Sequence, residues 1–135
     1  MTVIDASVVV TALVHGEYAD WAEKHLSTAG SGRSLYAPHL LDVEVGHALR
    51  RRVAARKLRD DRASAALSEL AVLPLRRVVH TGLLDRAWQL RHNVSFYDGI
   101  YVALAELLGA PLITLDRRLA KAVGDAASVT VLTVG

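Results

Sequence analysis

Acidic residues at the ends of short apolar runs are the groups in this chain whose type and spacing could do chemistry. Asp5 ends "MTVID", Asp116 ends "APLITLD", and Asp98 stands at the head of the otherwise apolar stretch "SFYDGIYVALAE". A carboxylate beside a hydrophobic face is costly unless it is paired, capping a helix or bound to a metal ion. Each acid alone is also explained as a helix cap or as a partner of a helix dipole.

The joint pattern is harder to explain by capping. Glu44 lies in the first turns of a helix predicted from Leu41 onward, and it points toward the same edge as Asp5. Carboxylates gathered at one edge repel each other, which raises their pKa values unless a cation is present. A hard divalent ion such as Mg²⁺, which prefers oxygen ligands, resolves this conflict.

Other catalytic patterns are absent from the sequence. There is no cysteine, which excludes a Cys nucleophile, a thiolate zinc site and a disulfide framework. The six histidines form no H-x-x-x-H or H-E-x-x-H motif, there is no G-x-S-x-G, and "GSGRS" lacks the other glycines of a phosphate loop. By elimination, the chemistry open to the carboxylates is metal-assisted phosphodiester cleavage.

Short β-branched strands alternate with helices along the chain. Strands are predicted at "TVID", "RSLYAP", "PLRRVVH", "PLITL" and "SVTVLTV", "GSG" predicts a break, and Thr81 is predicted to cap the helix "TGLLDRAWQLRHN". The alternation predicts a three-layer α/β/α fold with a central, mainly parallel sheet of about five strands. Ligands of such sheets bind outside the carboxyl ends of the strands, where Asp5 and Asp116 are expected.

Length and composition favour one domain spanning residues 1–135. The chain has 135 residues, 52% of them hydrophobic, which is enough for a core. The start "MTVIDAS" lacks a signal-peptide pattern, and no apolar run approaches the roughly 18 residues of a membrane span. We therefore expect a cytoplasmic protein with no membrane partner.

Positive charge is concentrated in "RRRVAARKLRDDR", although the formal net charge is only +2. The stretch is either a solvated helix face tied by ion pairs to Asp60 and Asp61, or a surface that contacts RNA phosphates. The sequence does not separate these interpretations. The candidate RNA-contacting residues are Arg50, Arg51, Arg56 and Lys57.

Four stretches together resemble a known family. "VIDASVVV", "APHLLDVEVGHALRR", "SFYDGIYVALAELLGAPLITLDRRLA" and "VTVLTV" resemble PIN-domain proteins and, more narrowly, VapC-type toxins of bacterial VapBC toxin–antitoxin systems. The resemblance runs from Val3 to Val134. It implies a Mg²⁺- or Mn²⁺-dependent endoribonuclease that acts on RNA, is neutralised by a cognate VapB-type antitoxin and forms a homodimer.

The resemblance also implies roles for individual acids. Asp5 and Asp98 match the principal metal ligands, Asp116 completes the cluster directly or through water, and Glu44 holds a metal-bound water or a second ion. The implied catalytic residues are Asp5, Glu44, Asp98 and Asp116.

Three further positions match or depart from the family pattern. Ser7 and Thr114 match hydroxyls that line the pocket, although local backbone hydrogen bonds explain them equally well. His47 stands where many relatives carry Asn, which could add pH dependence near neutrality. Asp42 is interpreted as an acid of the first helical turn.

Partner surfaces are also expected from the resemblance. An antitoxin would lay an amphipathic segment into an apolar groove and direct an Arg or Lys at the acids. The dimer is expected to use the helix "FYDGIYVALAELLG" and its neighbours. The groove candidates, for which core packing is the alternative, are Val9, Leu13, Tyr18, Trp21 and Leu26.

Two other functions fit parts of the pattern. A PIN-fold module could bind RNA or protein without catalysis. A receiver-like phosphoacceptor domain also places acids and a Thr at strand ends around Mg²⁺, but it usually needs a paired acid early in the fold and a Lys after the last strand. "TVIDAS" offers one acid and "SVTVLTVG" has no Lys.

Overall fold

The computed structural model describes residues 1–27 and 33–135. The break predicted at "GSG", residues 30–32, lies outside the described residues. A 3₁₀ turn covers Thr81–Leu83. The elements in chain order are β1 (Thr2–Ile4), α1 (Ala6–Leu13), α2 (Ala19–Ser27), β2 (Leu35–Pro38), α3 (Leu40–Ala54), α4 (Asp60–Val72), β3 (Leu75–Val78), α5 (Leu84–Gln89), α6 (Phe96–Leu108), β4 (Leu112–Ile113), α7 (Arg117–Val123) and β5 (Val131–Leu132).

Five parallel strands form the sheet, in the order β3-β2-β1-β4-β5. The predicted α/β fold with a five-stranded parallel sheet is therefore confirmed. Receiver domains have the order 2-1-3-4-5, so the receiver-like alternative is wrong. The order reverses direction between β1 and β4, and this switch point is where open α/β sheets bind ligands.

Strands β4 and β5 are shorter than predicted. β4 covers only Leu112–Ile113, because the chain after Thr114 turns at once into the cap of α7. β5 is an edge strand of two residues that are not fully buried. Thr81 does not cap a helix: it lies inside the 3₁₀ turn, whose preceding residue makes no side-chain capping bond.

Helix α6 is the apolar centre of the molecule. Its residues 99–105 are all buried, and it packs against β1, β2 and α5. Ser95 caps its first turn by accepting the Asp98 amide at 3.1 Å, and Gly109 ends it in the left-handed conformation, with φ of 61°. An added Cβ at Gly99 would lie 3.2 Å from the Ala87 carbonyl oxygen, so a glycine lets α6 approach α5 closely.

Helix α3 presents two different faces. Leu41, Val45 and Leu49 are buried at four-residue spacing, which leaves Glu44 on another face. Asp42 does lie in the first turn, as predicted, and pairs with Arg77 of β3 at 3.0 Å. The sheet thus fixes the start of α3, and with it the direction of Glu44.

Only some of the residues expected to form an antitoxin groove are exposed at the surface. Val9 and Leu13 are buried in the core, so their inclusion was wrong: α1 is packed against α2, α3 and α4. Trp21 and Leu26 are half-buried against the same core, while Tyr18 is exposed. Within the described residues, no helix has both the length and the apolar character to cross a membrane.

Candidate active site

A buried hydrogen-bond network joins the carboxyl ends of β1 and β4. Asp5 caps α1, and its Oδ1 accepts the Ser7 amide at 3.0 Å and the Ser7 hydroxyl. Its Oδ2 accepts the hydroxyl of Thr114, which in turn accepts the Asp116 amide at 3.0 Å. The Ser7 hydroxyl accepts the Leu115 amide at 3.0 Å, which closes the network. The capping interpretation of Asp5 is therefore confirmed, and the residue also lies at the switch point of the sheet, where metal binding stays a prediction.

The environment of Asp5 disfavours its negative charge. Only 7% of the residue is exposed, and burial raises the pKa of the carboxyl to about 6 from the usual 3.8. The Ser7 and Thr114 hydroxyls oppose the rise by stabilising the carboxylate, while the negative charge of Asp98 adds to it. The site therefore holds a carboxylate that is oriented by hydrogen bonds but has no cationic partner in the described part of the chain to neutralise it.

Asp98 and Asp116 meet Asp5 at the same edge of the sheet. Asp98 lies half-buried in the first turn of α6, and burial raises its pKa, opposed by Ser95 and reinforced by the charge of Asp116. Asp116 caps α7 by accepting the Arg118 amide at 3.0 Å, with the Arg118 guanidinium 3.6 Å away and almost fully exposed. The topology thus brings the start of α6 to the carboxyl edge of the sheet. The sequence alone did not determine at which edge Asp98 lies.

Glu44 reaches the group from α3 and faces a buried tyrosine. Burial raises the pKa of Glu44, the nearby Tyr101 hydroxyl opposes the rise, and the charge of Asp98 adds to it. No hydrogen bond of ordinary geometry joins the pair: Glu44 Oε1 and the Tyr101 hydroxyl are buried without a partner among the described residues. Burial and the surrounding carboxylates raise the pKa of Tyr101 strongly, so its hydroxyl stays protonated.

The acids are electrostatically coupled but do not form a closed cage. In the described part of the chain, no group of three or more His, Asp or Glu side chains is arranged to hold a metal ion directly. Mg²⁺ usually binds through one or two carboxylates and keeps several waters. An oxygen-only donor set, raised pKa values and the unpartnered Glu44 Oε1 fit such an ion.

The basic stretch is divided among different surfaces. Arg51 lies beside Glu44, where both line two adjoining clefts. Arg50 lines a groove between α3 and α4, and Arg56 and Lys57 line another beyond the end of α3. Among the described residues these four cations form no ion pair. Contact with RNA stays a prediction for all four, but only Arg51 is next to the acids.

Two neighbours of the acids were not predicted. Tyr101 is buried, as expected of a residue in the apolar stretch of α6, so its place three residues after Asp98 was the available signal that it lies beside the acids. Arg52 lines the same cleft as Glu44 and is half-buried. His47 lines the second cleft beside Arg51 and is exposed.

Comparisons with known proteins agree with this geometry. Residues 2–125 match the PIN domain family. The chain is 48% identical over 124 residues to Ribonuclease VapC1 of Mycobacterium tuberculosis, with 90% of each chain covered. VapBC2 from Rickettsia felis, solved bound to a DNA fragment of its promoter, superposes with a TM-score of 0.71 at 11% identity, covering 98% of this chain and 97% of the other. A toxin–antitoxin complex from Klebsiella pneumoniae gives 0.61 at 19% identity, with the same coverage.

The parallel sheet with carboxylates at its switch point is typical of an α/β protein that binds a ligand at this edge. The similar proteins identify the family. The chain belongs to the PIN domain family, in its VapC ribonuclease group.

Proposed function

We propose that this protein is a Mg²⁺- or Mn²⁺-dependent endoribonuclease that acts as the toxin of a toxin–antitoxin pair in the bacterial cytoplasm. The observation that supports it most is the convergence of Asp5, Glu44 and Asp98, each with a raised pKa, at the switch point of the sheet. The similarity to VapC1, a ribonuclease by name, supports RNA as the substrate.

Asp5 and Asp98 would bind the ion, with Asp116 completing the site directly or through water. Bound there, a divalent cation would polarise a phosphoryl oxygen and lower the pKa of a water. Ser7 and Thr114 fix the Asp5 carboxylate from both oxygens, which prevents it from rotating away. Glu44 would orient the attacking water and accept its proton, a role suited to a carboxyl whose pKa lies above the usual range.

RNA cleavage by purified protein tests this assignment. Wild type should fragment a mixed RNA pool with Mg²⁺ and lose activity in EDTA. Asp98→Asn should lower the rate by about 100-fold or more, since changing even outer partners of a metal site costs 10- to 100-fold. Asp125→Asn, which neutralises an exposed carboxylate in the loop after α7, is the matched control and should remain active.

Cleavage by Asp98→Asn at the wild-type rate would refute the metal assignment. A wild-type chain that binds RNA without cleaving it under any divalent ion would favour the module without catalysis.

We infer that a VapB-type antitoxin inhibits the protein. The Klebsiella pneumoniae neighbour, solved as a toxin–antitoxin complex, supports this partner. The product of the adjacent gene should co-purify with the chain, abolish cleavage, and release the activity when it is proteolysed. If the chain does not bind that product and is harmless when overexpressed, the toxin role is contradicted, but the assignment of the fold is not.

A homodimer stays a prediction. The middle of α6 is buried within its own chain, so only the ends of this helix are free to contribute. Tyr97 and Leu107 at those ends, and Trp88 on α5, are exposed apolar residues. Light scattering of the purified chain would measure the state, and Trp88→Glu should favour the monomer if this surface is used.

A further inference from the structure

A cleft of about 420 Å³ opens beside the acidic edge, between α1, α3 and the loop from α1 to α2. Ser7 and Leu115, which belong to the hydrogen-bond network of Asp5, form its floor together with Glu44. Whatever occupies the cleft therefore lies next to the carboxylates. The size and position suit the part of a polymeric substrate that flanks the reacting bond.

Two guanidinium groups line the cleft without a partner. Arg51 and Arg52 form no ion pair or hydrogen bond with any residue of the described chain, although Arg52 is half-buried. By contrast, Arg77 and Arg86, which are also half-buried, each hold a carboxylate with two bonds. A guanidinium that lines a cleft without a counter-ion among the described residues favours an anionic ligand, and its geometry matches phosphate.

An aromatic ring, Tyr18 of the loop between α1 and α2, also lines the cleft. Tyr18 is 42% exposed and has φ of 65°, a left-handed conformation that is unusual for a bulky residue. The Thr11 hydroxyl holds the loop by donating to the Glu17 carbonyl at 2.5 Å. The guanidinium of Arg117 lies 5.9 Å from the Tyr18 ring centroid and contacts its hydroxyl at 3.4 Å. A strained residue that several contacts keep in place at a cleft indicates a functional position.

We propose that this cleft is a subsite for one unpaired nucleotide that flanks the cleaved phosphodiester, with Tyr18 stacking on its base and Arg51 and Arg52 binding its phosphate. The inference rests on the proposed ribonuclease function. Cations and an aromatic ring that line one cleft are the combination by which proteins bind single-stranded RNA. A base in a duplex is stacked on both sides, so the subsite selects loops or single strands.

Binding of a short fluorescent single-stranded RNA, measured by anisotropy in the non-cleaving Asp98→Asn background, tests the proposal. Tyr18→Asn removes the ring with a residue that tolerates left-handed backbone, and it should weaken binding by about 5- to 150-fold. Tyr18→Phe keeps the ring and should bind within about 2-fold. Trp88→Ala removes an exposed ring on α5 and should have no effect.

Two further measurements locate the contacts. In a second set of RNAs, each base in turn is replaced by an abasic site. At one position the replacement should weaken binding to the protein that retains Tyr18. The same replacement should not weaken binding to Tyr18→Asn any further, because both changes remove the same stack. Arg52→Gln should lower the slope of log affinity against log salt by about 0.7, as expected for one phosphate contact on a single strand.

Steady-state cleavage separates this proposal from the one on which it rests. Tyr18→Asn in the otherwise wild-type chain should raise KM and leave kcat nearly unchanged. Unaltered KM and RNA affinity in an active enzyme would overturn the subsite alone, as would a variant that loses only antitoxin binding. A wild-type chain without RNA cleavage would overturn the proposed function itself.

Discussion

Replacing Asp5 by Asn should make the metal-free protein more stable at neutral pH, although it should abolish cleavage. The pKa of Asp5 is about 6 in the folded chain and about 3.8 when unfolded, a difference of about 2. That difference corresponds to about 3 kcal/mol of penalty for folding with the carboxylate ionised. Asn carries no charge, but its amide group cannot accept the Thr114 hydroxyl as Oδ2 does. A lost hydrogen bond costs about 0.5–1.5 kcal/mol, so the expected net gain is about 1.5–2.5 kcal/mol.

The pH dependence gives the prediction its sign. Between about pH 4 and pH 6 the folded state holds a proton on Asp5 that the unfolded state has released, so wild-type stability falls as pH rises. Above about pH 6 both states are ionised and the penalty is complete. Glu44 and Asp98 contribute slopes of the same sign, which the difference between wild type and Asp5→Asn largely cancels.

Urea unfolding in EDTA at several pH values measures this difference. The two stability curves should diverge between pH 4 and pH 6 and then run parallel, with Asp5→Asn above the wild type. Added Mg²⁺ should stabilise the wild type and leave the variant unchanged. Asp125→Asn should follow the wild-type curve. A variant that is less stable than wild type at pH 8 in EDTA, or curves that never diverge, would refute the reasoning.

Three other substitutions test single contacts around the acids. Tyr101→Phe should change stability by less than about 1 kcal/mol, since the lost hydroxyl forms no hydrogen bond of ordinary geometry with any described residue. It should move the acid limb of the pH–rate profile to higher pH, because the nearby hydroxyl lowers the pKa of Glu44, and an unmoved limb would count against that influence. Gly99→Ala should destabilise by about 1–2 kcal/mol in urea unfolding, because the new Cβ meets the Ala87 backbone. Gly46→Ala, within α3 and with no atom near its new Cβ, should stabilise by about 0.5–1 kcal/mol; equal effects at both glycines would contradict the close helix approach.

The strand-end acids could be located from sequence because strand ends are local features. Asp5 and Asp116 follow short apolar runs, and parallel strands bring such positions to one edge. Asp98 follows no strand, so its side of the sheet depends on which strands α6 packs against, a long-range property. Tyr101 was missed because its hydroxyl acquires a role only when α3 brings Glu44 against it.

The basic stretch shows how a run in sequence separates in space. Successive residues of a helix point about 100° apart, so Arg50, Arg51 and Arg52 cannot share one face. The helix then ends at Ala54, and Arg56 takes a left-handed conformation with φ of 58° that redirects the chain. The cluster of charges in the sequence thus predicted more cations at the acidic edge than the fold places there. Arg52, which was not among the predicted RNA contacts, does line the cleft.

Helix α3 joins the proposed chemistry to the proposed binding. Glu44, Ala48 and Arg51 recur at spacings of four and three, so they share the face that lines the cleft. The buried spacing of Leu41 and Val45 fixes the rotation of the helix about its axis. Because core packing sets that rotation, the carboxylate that would accept a proton and the guanidinium that would hold the phosphate are placed by the same contacts. The position of the phosphate and the chemistry are therefore coupled through the packing of α3 against the core.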